Sequence, residues 1–298
     1  MLINKIGEFG LIERIKKSIK TDASVIKGSG DDCAVLVFDK KRYQLFTCDM
    51  IVQGVDFTLK DEPCLIGRKA LAASVSDIAS CSGLPRHCLV SLAMPKNTSV
   101  EFVDRLFKGM LSIAKEYNIN IAGGDISSAR DVTIDVGMLG IVEKKYLTLR
   151  SGAKAGDIIF VTGELGGSIR GKHLRFKPRL KEARFLAKNF KVNAMIDISD
   201  GLASDLSHIL RQSSVGAIIY EDLIPVSKQA AGFSEALYMG EDFELLFTLS
   251  RKDARKILRK KLTDFKHIGE IVERKFGLRL IDKRNRERIL QPKGFRHF

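Results

Sequence analysis

Residues 194–212 read Ala194-Met-Ile-Asp197-Ile-Ser199-Asp200-Gly201, followed by Leu202-Ala-Ser-Asp205-Leu-Ser-His208-Ile-Leu-Arg-Gln212. The first part predicts a short strand over 194–198 that ends among acids, and the second a helix over 202–212. A strand that passes within three residues into a helix sets the class as mixed α/β. Ser199 or Asp200 would cap that helix. Alternatively, the positive helix end would hold an anion beside carboxylates carrying a metal. The residues leave both open, and Asp205, one turn later, reads as a surface acid.

Five more acidic turns repeat this arrangement: Gly30-Asp31-Asp32, Cys48-Asp49, Ser76-Asp77, Gly123-Gly124-Asp125 and Gly240-Glu241-Asp242. Most follow a strand-like run. The first half predicts helices over 6–19, 66–82 and 100–117. Its strands fall at 43–48, 52–57, 87–93, 119–122 and 132–142. The second half predicts strands at 158–162, 194–198, 216–220, 244–249, 267–272 and 278–281, with helices over 181–190, 202–212 and 253–262. The small-residue turn Ser151-Gly-Ala-Lys-Ala-Gly156 separates a domain 1–150 from a domain 151–298. The expected fold class is α/β (α+β) with two domains.

The 298 residues are 45% hydrophobic, enough for ordinary globular packing. No apolar run reaches the length of a membrane span, and the first residues lack a signal-peptide pattern. Five cysteines, none spaced Cys-x-x-Cys, point to a reducing cytoplasm rather than to disulfides or zinc. The formal charge of +14 is compatible with nucleic-acid binding, but no aromatic RNA-binding motif accompanies the basic residues. A solvated basic surface that attracts anionic substrates is the simpler reading, and nucleic acid is not expected as a partner.

Carboxylates gathered at strand ends repel one another unless cations lie among them. Oxygen ligands of this kind suit magnesium, which takes one or two carboxylates and completes its shell with water and phosphates. Asp77 is the most telling, because it falls inside an Ala-rich apolar helix where an unpaired charge costs several kcal/mol. It needs a buried cation or metal. Paired glycines before Asp125 let a backbone approach phosphate closely. Gly166-Gly-Ser-Ile-Arg-Gly171-Lys172-His173 nearly matches a P-loop but has His173 where a hydroxyl should be. There is no dinucleotide fingerprint, no histidine ligand spacing and no nucleophile elbow.

In their order and spacing these turns resemble the thiamine-monophosphate kinase family, within the ATP-binding superfamily of aminoimidazole ribonucleotide synthetase. The resemblance runs from Gly7-Glu-Phe-Gly10 to Lys293-Gly-Phe-Arg-His-Phe298 and includes Arg150-Ser-Gly-Ala-Lys154. It implies an N-terminal domain that dimerises through its sheet, ATP near the dimer interface, and a C-terminal domain closing over thiamine monophosphate. The implied magnesium ligands are Asp32, Thr47, Cys48, Asp49, Asp77, Asp125, Asp197 and Asp200. Phe107, Gly124, Asp125, Arg150 and Ser199 match nucleotide positions. Asp56, Glu241 and Phe295 match acceptor positions, with Phe295 stacking on the thiamine rings. Cys48 stands where Thr is common, Asp56 where His is common, and Met239 replaces a glycine. The implied reaction is magnesium-dependent transfer of the γ-phosphoryl group of ATP to thiamine monophosphate by a cytoplasmic homodimer. The alternatives are another ATP-using enzyme of the superfamily and a basic nucleic-acid-binding protein.

Overall fold

The computed structural model describes residues 2–260, 262 and 264–296, so His297 and Phe298 of the last motif lie outside the described residues. Two mixed sheets organise the chain. The first contains β1 (Val25–Lys27), β2 (Ala34–Val37), β3 (Arg42–Val52), β4 (Leu84–Met94), β5 (Asn120–Ser128) and β6 (Thr133–Glu143). Their order is β1-β2-β3-β6-β4-β5. The second contains β7 (Ile158–Thr162), β8 (Val192–Asp197), β9 (Val215–Tyr220), β10 (Leu245–Leu249), β11 (Phe265–Glu273), β12 (Leu278–Ile281) and β13 (Glu287–Ile289). Here the order is β13-β12-β9-β11-β7-β10-β8. Helices α1 (Ile3–Lys16), α2 (Pro63–Ser80) and α3 (Val100–Tyr117) belong to the first half. The second half has α4 (Lys172–Arg175), α5 (Leu180–Asn189), α6 (Leu202–Ser213), α7 (Phe233–Tyr238) and α8 (Arg251–Arg259).

Two strands that carry candidate acids run well past their expected ends. The expected pieces 43–48 and 52–57 give way to one strand, β3, ending at Val52 and paired with β6 from Arg42↔Glu143 to Val52↔Thr133. An antiparallel partner of equal length satisfies the backbone groups that point toward it along that whole run. Asp49 therefore lies inside a strand rather than at its end. β5 likewise extends to Ser128 because β4 pairs with it through Met94↔Ser128. Gly123-Gly124-Asp125 is thus strand rather than turn.

Helix α2 is the central element. Ile66, Ala70, Leu71, Val75 and Ile78 are buried against the first sheet, while α4, α5 and β8 of the second half pack on its other side. Helix α3 runs beside it at very close range. A Cβ on Gly67 would lie 1.9 Å from Leu106 O, and one on Gly109 would lie 1.8 Å from Cys64 O. Only glycine allows backbones to approach so closely. The opposite face of the first sheet is uncovered: Phe46, Met50 and Leu89 are all exposed.

Gly67→Ala or Gly109→Ala should destabilise the fold by about 3 kcal/mol, despite alanine's better helix propensity. Urea unfolding measures this directly, and an unchanged midpoint would contradict the close crossing.

Candidate active site

Helix α2 delivers Ser76, Asp77 and Ser80 to the boundary between the two halves. The turn after β1 delivers Asp32, and β8 delivers Asp197 at its end. One carboxylate oxygen from each of Asp32, Asp77 and Asp197 lies within 4.8 Å of the other two. Hydroxyls hold all three: Ser80 Oγ donates to Asp32 at 2.7 Å, Ser76 Oγ to Asp197 at 2.6 Å, and Thr47 Oγ1 to Asp77. Among the described residues Arg150 is the one cation in direct contact with these three, its Nε donating to Asp32 at 3.0 Å, while its backbone N donates to Asp31 at 3.0 Å.

One guanidinium does not neutralise so many acids. Burial, together with the charges of Asp49, Asp197 and Asp32, pushes Asp77 well above the ordinary carboxylate range. Burial and the neighbouring Asp32 push Asp197 up to about 7. Burial, with Asp135 and Asp32 nearby, pushes Asp49 up to about 6. Oδ2 of Asp49 is buried without a hydrogen-bond partner. A converging set of buried oxygens with an orphaned acceptor fits a hard divalent cation such as magnesium.

Two cavities meet beside this cluster. One, of about 510 Å³, is lined by residues of α1, Asp31, Arg150, Asp205, His208, Ser199 and Asp200. The other, of about 230 Å³, is lined by Asp49, Asp56, Lys69, Ser199, Asp200, Glu241, Phe243 and Phe295. Ser199 and Asp200 border both. Their loop is pinned by Asp205, whose Oδ2 accepts from Asp200 N at 3.1 Å and Gly201 N at 3.0 Å. Phe295 N donates to Asp200 O at 2.9 Å, and a Cβ on Gly294 would lie 2.5 Å from that same carbonyl.

Family models for AIR synthase related protein match the chain twice, the N-terminal domain over residues 30–142 and the C-terminal domain over residues 133–281. Thiamine-monophosphate kinase of Buchnera aphidicola (subsp. Acyrthosiphon pisum) is 35% identical over 99% of both chains. The chain belongs to the thiamine-monophosphate kinase family. The Aquifex aeolicus member is 32% identical over the full length of both chains. The structure of AaThiL complexed with AMPPCP and TMP superposes with a TM-score of 0.87, at 30% identity, over 100% of this chain and 99% of that one.

The family motifs do not all converge in this fold. Asp32, Thr47, Asp49, Asp77 and Asp197 come together, and Asp200 borders the adjoining cavities. Asp125 does not join them. Register aligns Met50 with Asp135, Asp135 with Ser91, and Ser91 with Asp125, so Asp125 shares the uncovered face of the first sheet. Cys48 lies on that face too, its Sγ 3.0 Å from Asp135. Asp49, one residue on, points inward because side chains alternate along a strand. Gly124 has a structural reason of its own: a Cβ there would lie 1.8 Å from Val90 O. Phe107 packs against the N-terminal core.

Asp205 is buried, against the expectation of a surface acid, and its carboxylate accepts from the Asp200 and Gly201 amides that lead into α6. Lys69 and Asp135 drew no notice in the sequence. Lys69 passes for one polar residue of an apolar helix, and Asp135 for one of an alternating strand. The P-loop-like stretch forms no phosphate cradle. Gly166 N donates to Asp242, and Lys172 Nζ donates to Glu244 at 2.8 Å. Arg170 and Arg179 are paired with Glu235 and Glu244, so these cations are spent on structure.

The raised carboxyls make a signed prediction. They bind more protons folded than unfolded between the ordinary value of 3.8 and about 7, so metal-free stability falls as pH rises through that window. From about pH 5 to about pH 8 the melting temperature without metal should drop by about 5 °C or more. Millimolar magnesium should restore it at the upper pH. Thermal scans with and without chelator decide this, and a flat metal-free profile would contradict it.

Proposed function

We propose that this chain is an ATP-dependent kinase that transfers the γ-phosphoryl group to the phosphate of thiamine monophosphate, giving thiamine diphosphate. The observation that carries this reading is the buried carboxylate cluster lying where two cavities meet at Ser199 and Asp200. The relative solved with AMPPCP and TMP supports it. The cavity bordered by Arg150 and Ser199 suits the nucleotide phosphates, and the one bordered by Asp56, Glu241 and Phe295 suits the acceptor.

Donor and acceptor are both polyanions, so the barrier is largely repulsion and charge on the transferring group. Asp32, Asp49, Asp77 and Asp197, with Thr47 beside them, would hold magnesium, which neutralises phosphate charge when bound. Arg150 contributes a fixed positive charge beside Asp32. The loop at Ser199 and Asp200, braced by Asp205 and the chain's last segment, keeps the two cavities in line. Closing them around both reactants excludes water. The acceptor phosphate is ionised at neutral pH, so no side-chain base or nucleophile is needed.

A second copy of the chain covers the exposed sheet face in this reading. Phe46, Cys48, Met50 and Leu89 would form an apolar centre, with Asp125 and Asp135 at a site completed near that interface. Gly124, Asp125 and Phe107 belong to the nucleotide side. The free thiols of all five cysteines support a cytoplasmic location. Among the described residues no helix is long and apolar enough to cross a membrane.

Incubation with ATP, magnesium and thiamine monophosphate should yield thiamine diphosphate and ADP. Asp32→Asn or Asp77→Asn should lower kcat by about 100-fold or more while leaving the circular dichroism unchanged. Unaltered turnover at limiting magnesium would remove the metal role. Light scattering should give twice the mass of one chain, and Leu89→Asp should halve it.

A further inference from the structure

Lys69 is among the largest fully buried side chains of the molecule, 1% exposed, yet it is ionisable. An ammonium removed from water needs compensation from its surroundings. Its Nζ donates to the carbonyl of Asp56 at 2.7 Å and to the carboxylate of Glu241. Lys69 belongs to α2 and Glu241 to the segment before β10, so the pair joins the two halves of the molecule. All three residues line the smaller cavity.

Glu241 is held from other sides as well. Its backbone is in the left-handed region, at φ +64°, which a non-glycine residue adopts at a cost. Its N–H donates to Ser199 O at 2.7 Å, and its carbonyl accepts from Ser168 Oγ. Lys69, Ala73 and Asp77 succeed one another on one face of α2. Eight residues of helix separate Lys69 from Asp77, a rise of about 12 Å. A single rigid element therefore carries both the cavity end and the metal end of the site.

We propose that Lys69 is a positioning residue for the acceptor: by fixing Glu241 and the Asp56 carbonyl on the cavity wall, it sets where the acceptor sits relative to the carboxylate cluster. This inference rests on the kinase reading above. Lys69 bonds to Asp56 and Glu241 rather than to the cluster, so its loss should leave nucleotide binding in place. Its loss frees the Glu241 carboxylate and so loosens the acceptor alone.

The test compares steady-state kinetics of the wild-type protein with Lys69→Met, Lys69→Arg, Glu241→Gln and the double variant Lys69→Met/Glu241→Gln, at saturating magnesium. The Met variant should raise KM for thiamine monophosphate about tenfold or more while KM for ATP stays within about twofold. Arg should recover part of the loss. The double variant should be no worse than the poorer single one, because the two residues act as a unit. Stabilisation by AMPPCP with magnesium in a thermal scan shows that each variant is folded and binds nucleotide. If the Met variant does not fold, the double variant, which buries no unpaired charge, carries the comparison with Glu241→Gln. A folded Lys69→Met protein with an unchanged acceptor KM overturns the proposal, as does an equal rise in both KM values. A wild-type protein inactive on thiamine monophosphate overturns the kinase reading and this inference together. Failure of the inference alone leaves the wild type active.

Discussion

Mutual repulsion among buried carboxylates governs this molecule. Asp32, Asp49, Asp77 and Asp197 come from four separate elements; Asp32 raises the proton affinity of the other three, and Asp49 and Asp197 raise that of Asp77. Hydrophobic burial of α2 is what forces them together. Apolar contacts of α2 with the first sheet, and of α4, α5 and β8 with its other side, outweigh the electrostatic cost. The fold thus stores unfavourable charge that a divalent cation relieves, and ligand binding and stability share one origin.

The same helix explains why the site lies between the halves rather than within either. Its outward residues Lys69, Ala73, Ser76, Asp77 and Ser80 face the second half of the chain. They touch Glu241 at one end, and Asp197 and Asp32 at the other. Serine hydroxyls are suited to this place because they brace carboxylates without neutralising them. Arginine occurs only at the margin, as Arg150.

Elements fixed by local chemistry were legible in the chain. Helix α3 lies over 100–117 as expected, capped by Ser99, whose Oγ accepts from Phe102 N at 3.2 Å. The acidic turns also contain most of the residues that the fold gathers into the cluster, since an acid in an apolar context demands a partner. Strand length and register were not legible, because they depend on a partner strand remote in sequence. Asp125 shows the consequence: a strand carried past its expected end sets a residue's face by parity with β4. Lys69 escaped notice for a related reason, its counter-charge lying 172 positions away.

Gly294 and Phe295 touch the heart of the molecule. Through the Phe295 amide and the crowded Gly294, the tail is laced to the joint between β8 and α6. Loss of Gly294 and Phe295 would therefore loosen a segment roughly one hundred residues upstream in the sequence.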